Sequence, residues 1–159
     1  MNADALIELI PQEVLTWIYD VADNPHDMKY PARKMMKRNG YKKSTIGLEK
    51  LVYIHRTHVL KFGAEEELET YDLLDQEQRQ LIVFMVEVTY GISVVEKAMV
   101  LPASSLYSER DLWYDITQMV NKVAIELDII WDDDQNENIG FVPRVAYPVI
   151  IDLGMMTVS

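Results

Sequence analysis

The stretch LIVFMVEVTY, Leu81 to Tyr90, decides how the chain folds. Its first six residues, Leu81 to Val86, form the longest uninterrupted apolar run in the sequence, and valine recurs through the rest. A run that is apolar on nearly all sides fits a buried helix or a buried strand, because neither periodicity leaves a polar face to read. What precedes it favours a helix. Asp75-Gln76-Glu77-Gln78 has the form of a capping box, with Asp75 as N-cap and Gln78 reaching back. The expectation is a central helix from Asp75 into Tyr90, bent or broken at Gly91, then a further piece from Ser93 to Leu101 that Pro102 closes.

Working toward the N-terminus, Gly63 is followed by Glu65, Glu66, Glu67 and Glu69, a run that opens another helical stretch. Before it, Leu48, Leu51, Val52, His55, Val59 and Phe62 recur at three- and four-residue spacing. That spacing predicts an amphipathic helix from about Thr45 to Phe62, with Lys43, Lys50 and Lys61 on its opposite side. Tyr30-Pro31 starts a short helix that Asn39-Gly40 ends, and on it Arg33, Lys34, Lys37 and Arg38 fall together. Ala32, Met35 and Met36 supply its apolar side. Asn24-Pro25-His26-Asp27 reads as a turn, and residues 3–23 as two short helices or one bent at Pro11.

Toward the C-terminus, Ser108-Glu109-Arg110-Asp111 caps a helix whose stripe is Leu112, Ile116, Met119, Val123, Leu127 and Ile130. It should end near Trp131, before an acidic loop from Asp132 to Gly140. Pro143, Pro148 and Gly154 make the tail extended or broken. Together these elements predict a mainly α chain: a single helical domain over residues 1–159, a bundle of about five to seven helices with a short extended C-terminal segment.

With 159 residues, 49% of them hydrophobic, the chain can bury a core without staples. It contains no cysteine, which excludes disulfides, thiolate zinc sites and thiol catalysis and suits a reducing compartment. The opening residues carry acids where a secretory leader needs bases, and no apolar run reaches bilayer-spanning length, so a cytoplasmic protein without membrane contact is expected. Net charge is -11 at pH 7, but it is unevenly spread. Residues 1–28 carry -6, residues 29–61 carry +9, and residues 62–159 carry -14.

That asymmetry marks where a partner would dock. Arg33, Lys34, Lys37, Arg38, Lys42, Lys43 and Lys50 form the candidate binding set for an anion or an acidic partner, with Tyr30 and Tyr41 beside it as platforms for unpaired bases. The same charges also read as a solvated face, or as partners for the chain's own acids. Glu65, Glu66, Glu67 and Glu69 are the rival set, an acidic surface imitating nucleic acid.

His55 and His58 stand one helical turn apart, a spacing at which both reach one metal, yet no third ligand can be identified. Hydrogen-bonded histidines and no metal are expected. Asp132, Asp134 and Asn136 match the first positions of a calcium loop, whereas Glu137 and Pro143 stand where its glycine and bidentate glutamate belong. No phosphate-cradling glycine loop, nucleophile elbow or zincin helix occurs. The expectation is a regulatory interaction protein, not an enzyme, without cofactor, acting on a protein partner. A nucleic-acid-binding transcriptional regulator and an acidic nucleic-acid mimic are the alternatives, and self-association that weakens with salt is open to either.

Overall fold

The structure is a computed structural model describing residues 2–23, 31–44, 51–100, 107–131, 138–153 and 156–158. It is mixed α/β, which overturns the mainly α bundle. Among the described residues only three helices exceed six residues, and a five-stranded antiparallel sheet takes the place of two expected helices. No helix among them is long and apolar enough to cross a membrane. The chain divides into two compact units, Met1–Leu68 with Met85–Lys97, and Glu69–Phe84 with Ala98–Ser159.

The first unit opens with α1 (Ala3–Glu8), capped by Asn2, whose side chain accepts from the Ala5 amide at 2.8 Å. Pro11 separates it from α2 (Gln12–Asp23), and Leu6, Ile10, Val14 and Ile18, four residues apart, line one buried face of the pair. After α3 (Arg33–Arg38) come β1 (Lys42–Lys43), β2 (Leu51–Ile54), β3 (His58–Phe62), β4 (Met85–Thr89) and β5 (Ile92–Glu96), in spatial order β1-β2-β3-β5-β4.

Two corrections lie in this sheet. The segment expected as one helix from Thr45 to Phe62 is, where described, a hairpin: Tyr53 pairs with Leu60 and Ile54 with Val59 around a turn at residues 55–57. Leu81 to Tyr90 does not continue a helix either; its second half is β4, and Ser93 to Glu96 belongs to β5. The physical reason is burial on both faces. All five residues of β5 are buried between β3 and β4; the β-branched Ile92 and Val94 supply bulk to one face of the pleat and Val95 to the other, with Ser93 and Glu96 buried beside them. Gly91, with φ of 75°, makes the turn between β4 and β5.

Cross-strand partners share a face, which fixes what covers each side. Phe62 lies on one face with Leu60 and Val94, and the Trp17 ring of α2 meets it edge-on at 6.0 Å. Lys61 lies on the other face, where its Nζ donates to Glu67 at 2.9 Å, a buried pair supplied by α4 (Glu65–Leu73). Helices therefore cover both faces of the sheet.

In the second unit, α5 (Gln76–Arg79) carries the capping box read from the sequence, Gln78 N to Asp75 Oδ1 at 2.8 Å and Asp75 N to Gln78 Oε1 at 2.9 Å. It stops after four residues. The long helix α6 (Tyr107–Glu126) is followed by β6 (Ile129–Trp131), β7 (Ile139–Gly140), β8 (Val149–Ile150) and β9 (Met156–Val158), pairing as β6 with β9 and β7 with β8. The face that α6 buries runs through Trp113, Thr117, Val120 and Ala124, one residue beyond the stripe read from spacing. Leu112 and Met119 of that stripe remain exposed.

Candidate functional site

The turn between β2 and β3 is His55-Arg56-Thr57, and its side chains form a closed network in the first unit. The Thr57 amide donates to His55 Nδ1 at 3.2 Å, so that nitrogen is an acceptor. The Thr57 hydroxyl, 3.0 Å away, must then also donate to it. Thr57 Oγ1 in turn accepts from His58 Nδ1–H at 2.8 Å, which leaves His58 Nε2 free to accept the Tyr41 hydroxyl proton. The order of protons is thus determined from Tyr41 through His58 and Thr57 to His55, whose other nitrogen faces the Asn39 backbone carbonyl.

Burial reinforces this neutral state. His58 is completely buried, and desolvation, helped by His55, pulls its pKa down to about 4. Burial also lowers His55, with Arg56 adding to the effect and the Asn39 carbonyl opposing it. The Tyr41 hydroxyl is pushed up by desolvation. The two imidazoles stack at 4.6 Å between centroids. Metal-ligand geometry is not what results: three of the four ring nitrogens are hydrogen-bonded to Tyr41 or Thr57, and no group of three metal-ligating acids or histidines occurs among the described residues.

Around this network lies the basic set. Asn39 ends α3 and its side-chain amide donates to Glu13 Oε2 at 2.8 Å and to the Met35 carbonyl at 2.8 Å. Glu13 also accepts from the Arg38 guanidinium, and those hydrogen bonds hold its carboxyl down at about 2. Arg38 is therefore committed within the unit. Arg33, Lys34 and Lys37 on α3, and Lys42 and Lys43 on the edge strand β1, are exposed. None of these five has an ion pair among the described residues. Lys50 and Tyr30 lie outside the described residues, as do Asp132 to Glu137 of the acidic loop.

Two residues change roles. Tyr41 is buried with its hydroxyl engaged, so it offers no stacking platform. Arg56, exposed at the tip of the turn between two network residues, is a further exposed cation of the first unit that lay outside the candidate set read from the sequence. The adjacent polar pair Arg56-Thr57, flanked by Val52, Tyr53, Ile54 and Val59, is the signal that could have found the turn.

The rival acidic set is divided by the fold. Glu67 is buried against Lys61, Glu65 is half-buried with its carboxylate beside Gly91, and Glu66 and Glu69 are exposed. Compared with known proteins, the chain matches no family model and no curated protein.

Proposed function

We propose that this is a non-enzymatic binding protein that engages an acidic surface of another protein through Arg33, Lys34, Lys37, Lys42, Lys43 and Arg56. The observation that carries this reading is the contrast within α3: Arg38 is tied to Glu13, whereas its basic neighbours stand exposed with no ion pair to a carboxylate among the described residues. Exposed cations with no ion pair among the described residues, on a chain of net charge -11, are groups whose attraction remains available to a partner. Because the hydrogen-bonded Tyr41, Thr57, His55 and His58 network links the hairpin turn to the end of α3, it keeps Arg56 and the α3 cations in a fixed arrangement. Occupied ring nitrogens also argue against a histidine acting as a catalytic base. The absence of cysteine suits a cytosolic setting for such a role.

The test compares the protein with the K34E/K37E/K42E/K43E variant, using immobilised polyglutamate and a DNA duplex as probes over a salt series. Polyglutamate binding that weakens with salt and is lost in the variant is the expected result. Preference for the duplex at every salt concentration replaces the protein partner with nucleic acid. Retention unchanged by charge reversal removes the basic surface from the function.

A further inference from the structure

The second unit holds a half-open cavity of about 410 Å3 between α5, α6 and the segment at Tyr147-Pro148. That volume falls in the range of about 300–1,000 Å3 typical of small-ligand sites. Leu81, Val120 and Pro148 form its buried floor, and the half-buried Val123 and Leu127 with exposed Met119 form one wall. Here the apolar stripe of α6 finds its place: its central residues line the cavity instead of the core. Glu77 and Glu126, from α5 and α6, are exposed residues of its lining, and no Lys, Arg or His lines it among the described residues.

Its walls are tied together without a ligand. Gln78 Nε2 donates to the Leu127 carbonyl at 2.8 Å, joining α5 to the end of α6. The Tyr147 hydroxyl donates to the Gln80 carbonyl at 3.0 Å, which holds its ring in the cavity wall. Ile150 N donates to the Leu81 carbonyl at 2.8 Å, securing the segment behind. Binding here loses little to ordering the site.

We propose that this cavity binds a small organic cation, an ammonium group carried on an apolar aliphatic or aryl body. The apolar floor takes the body; the two carboxylates and the Tyr147 ring take the charge, a combination suited to ammonium groups. An anionic ligand meets two like charges, and a neutral one gains nothing from them. The volume suits a whole small molecule better than a peptide helix, which needs a groove several turns long.

Three probes on one benzyl body decide it: benzyltrimethylammonium, its neutral isostere neopentylbenzene, and phenylmethanesulfonate, each titrated while the Met119 and Val123 methyl resonances are followed. The cation should shift both, the neutral probe should bind more weakly, and the sulfonate should leave them unmoved. E77Q/E126Q should weaken the cation roughly tenfold and leave the neutral probe unchanged. Val123→Trp fills the cavity and should block both. Should that variant fail to fold, Met119→Lys, at an exposed position, supplies a competing ammonium at the mouth and should displace the cation alone. Equal affinity for cation and neutral probe, binding of either that survives V123W, cation binding that survives M119K, or methyl resonances that stay still throughout would each overturn the proposal.

Discussion

Tyr41 and His58, 17 residues apart in the chain, meet through one hydrogen bond in which the phenol donates to Nε2 of a completely buried imidazole. The bond exists only while His58 is neutral, because a protonated ring has no acceptor there. Acid therefore acts directly on the centre of the network.

The folded pKa of His58, about 4, lies below the ordinary 6.5, so the unfolded chain binds more protons between those values. Stability is then fully present above 6.5 and is lost as pH falls toward 4, by roughly 3 kcal/mol from this group. Urea denaturation at a series of pH values, repeated on H58Q, measures it. Parallel curves for the two proteins would show that His58 is not the source.

Removing the other end of the bond tests the network at neutral pH. Tyr41→Phe leaves Nε2 buried without its donor and should cost about 1–3 kcal/mol in denaturant unfolding. If the proposed binding surface depends on the turn that carries Arg56, the variant should also bind polyglutamate less well at a temperature where it remains folded.

The buried pair Lys61 and Glu67 is a separate weak point, since breaking it leaves one charge with its principal partner gone. Lys61→Met alone should destabilise by about 3–5 kcal/mol, and K61M/E67M should recover much of that loss. Unfolding of the single and double variants, compared as a cycle, provides the check; a double variant as unstable as the sum of its parts would contradict it.

Gly91 combines a φ of 75° with a tight neighbour: an added Cβ would stand 2.3 Å from Glu65 Oε1. Gly91→Ala should cost about 1–3 kcal/mol from left-handed backbone strain together with displacement of that carboxylate. Glu65→Ala in the same chain should return the steric part and leave the backbone part, which thermal melts of the two variants separate.

Legibility in the sequence followed the local signals. The Asp75 capping box and the break around Pro11 each rest on residues close together in the chain and are present. The long helix is present too, but it begins at Tyr107, before the expected Ser108 cap, and ends at Glu126, with Ile129–Trp131 forming β6 where the spacing predicts helix to near Trp131. The hairpin of β2 and β3 was hidden because His55-Arg56-Thr57 contains no glycine, proline or asparagine, so helical spacing could be counted straight across the turn. For β5, burial on both faces removed the alternation that identifies a strand; β4 continues an apolar run that begins before it, and the capping box just upstream suggested a helix that ends within one turn. On α6 the helix was readable but its buried face was displaced by one residue, since helical side chains lean toward the N-terminus and Trp113 outcompetes Leu112 for the interior. The basic set was visible as charge. Which of its members were already occupied depended on Glu13, 25 residues from Arg38, and no local pattern reports that.

The division of the chain has a consequence for how the protein comes into being. Residues 69–84 belong to the second unit, yet they interrupt the first, whose strand β3 gains its partner β5 only at residues 92–96. A growing polypeptide released as far as Leu68 thus presents β3 with one edge open, a template for pairing with other chains. For the same reason neither unit can be cut out as one continuous fragment: a cleavage placed between Leu68 and Met85 severs both. During synthesis the sheet must wait for a strand made later, and that interval is when the nascent chain most needs protection from its neighbours.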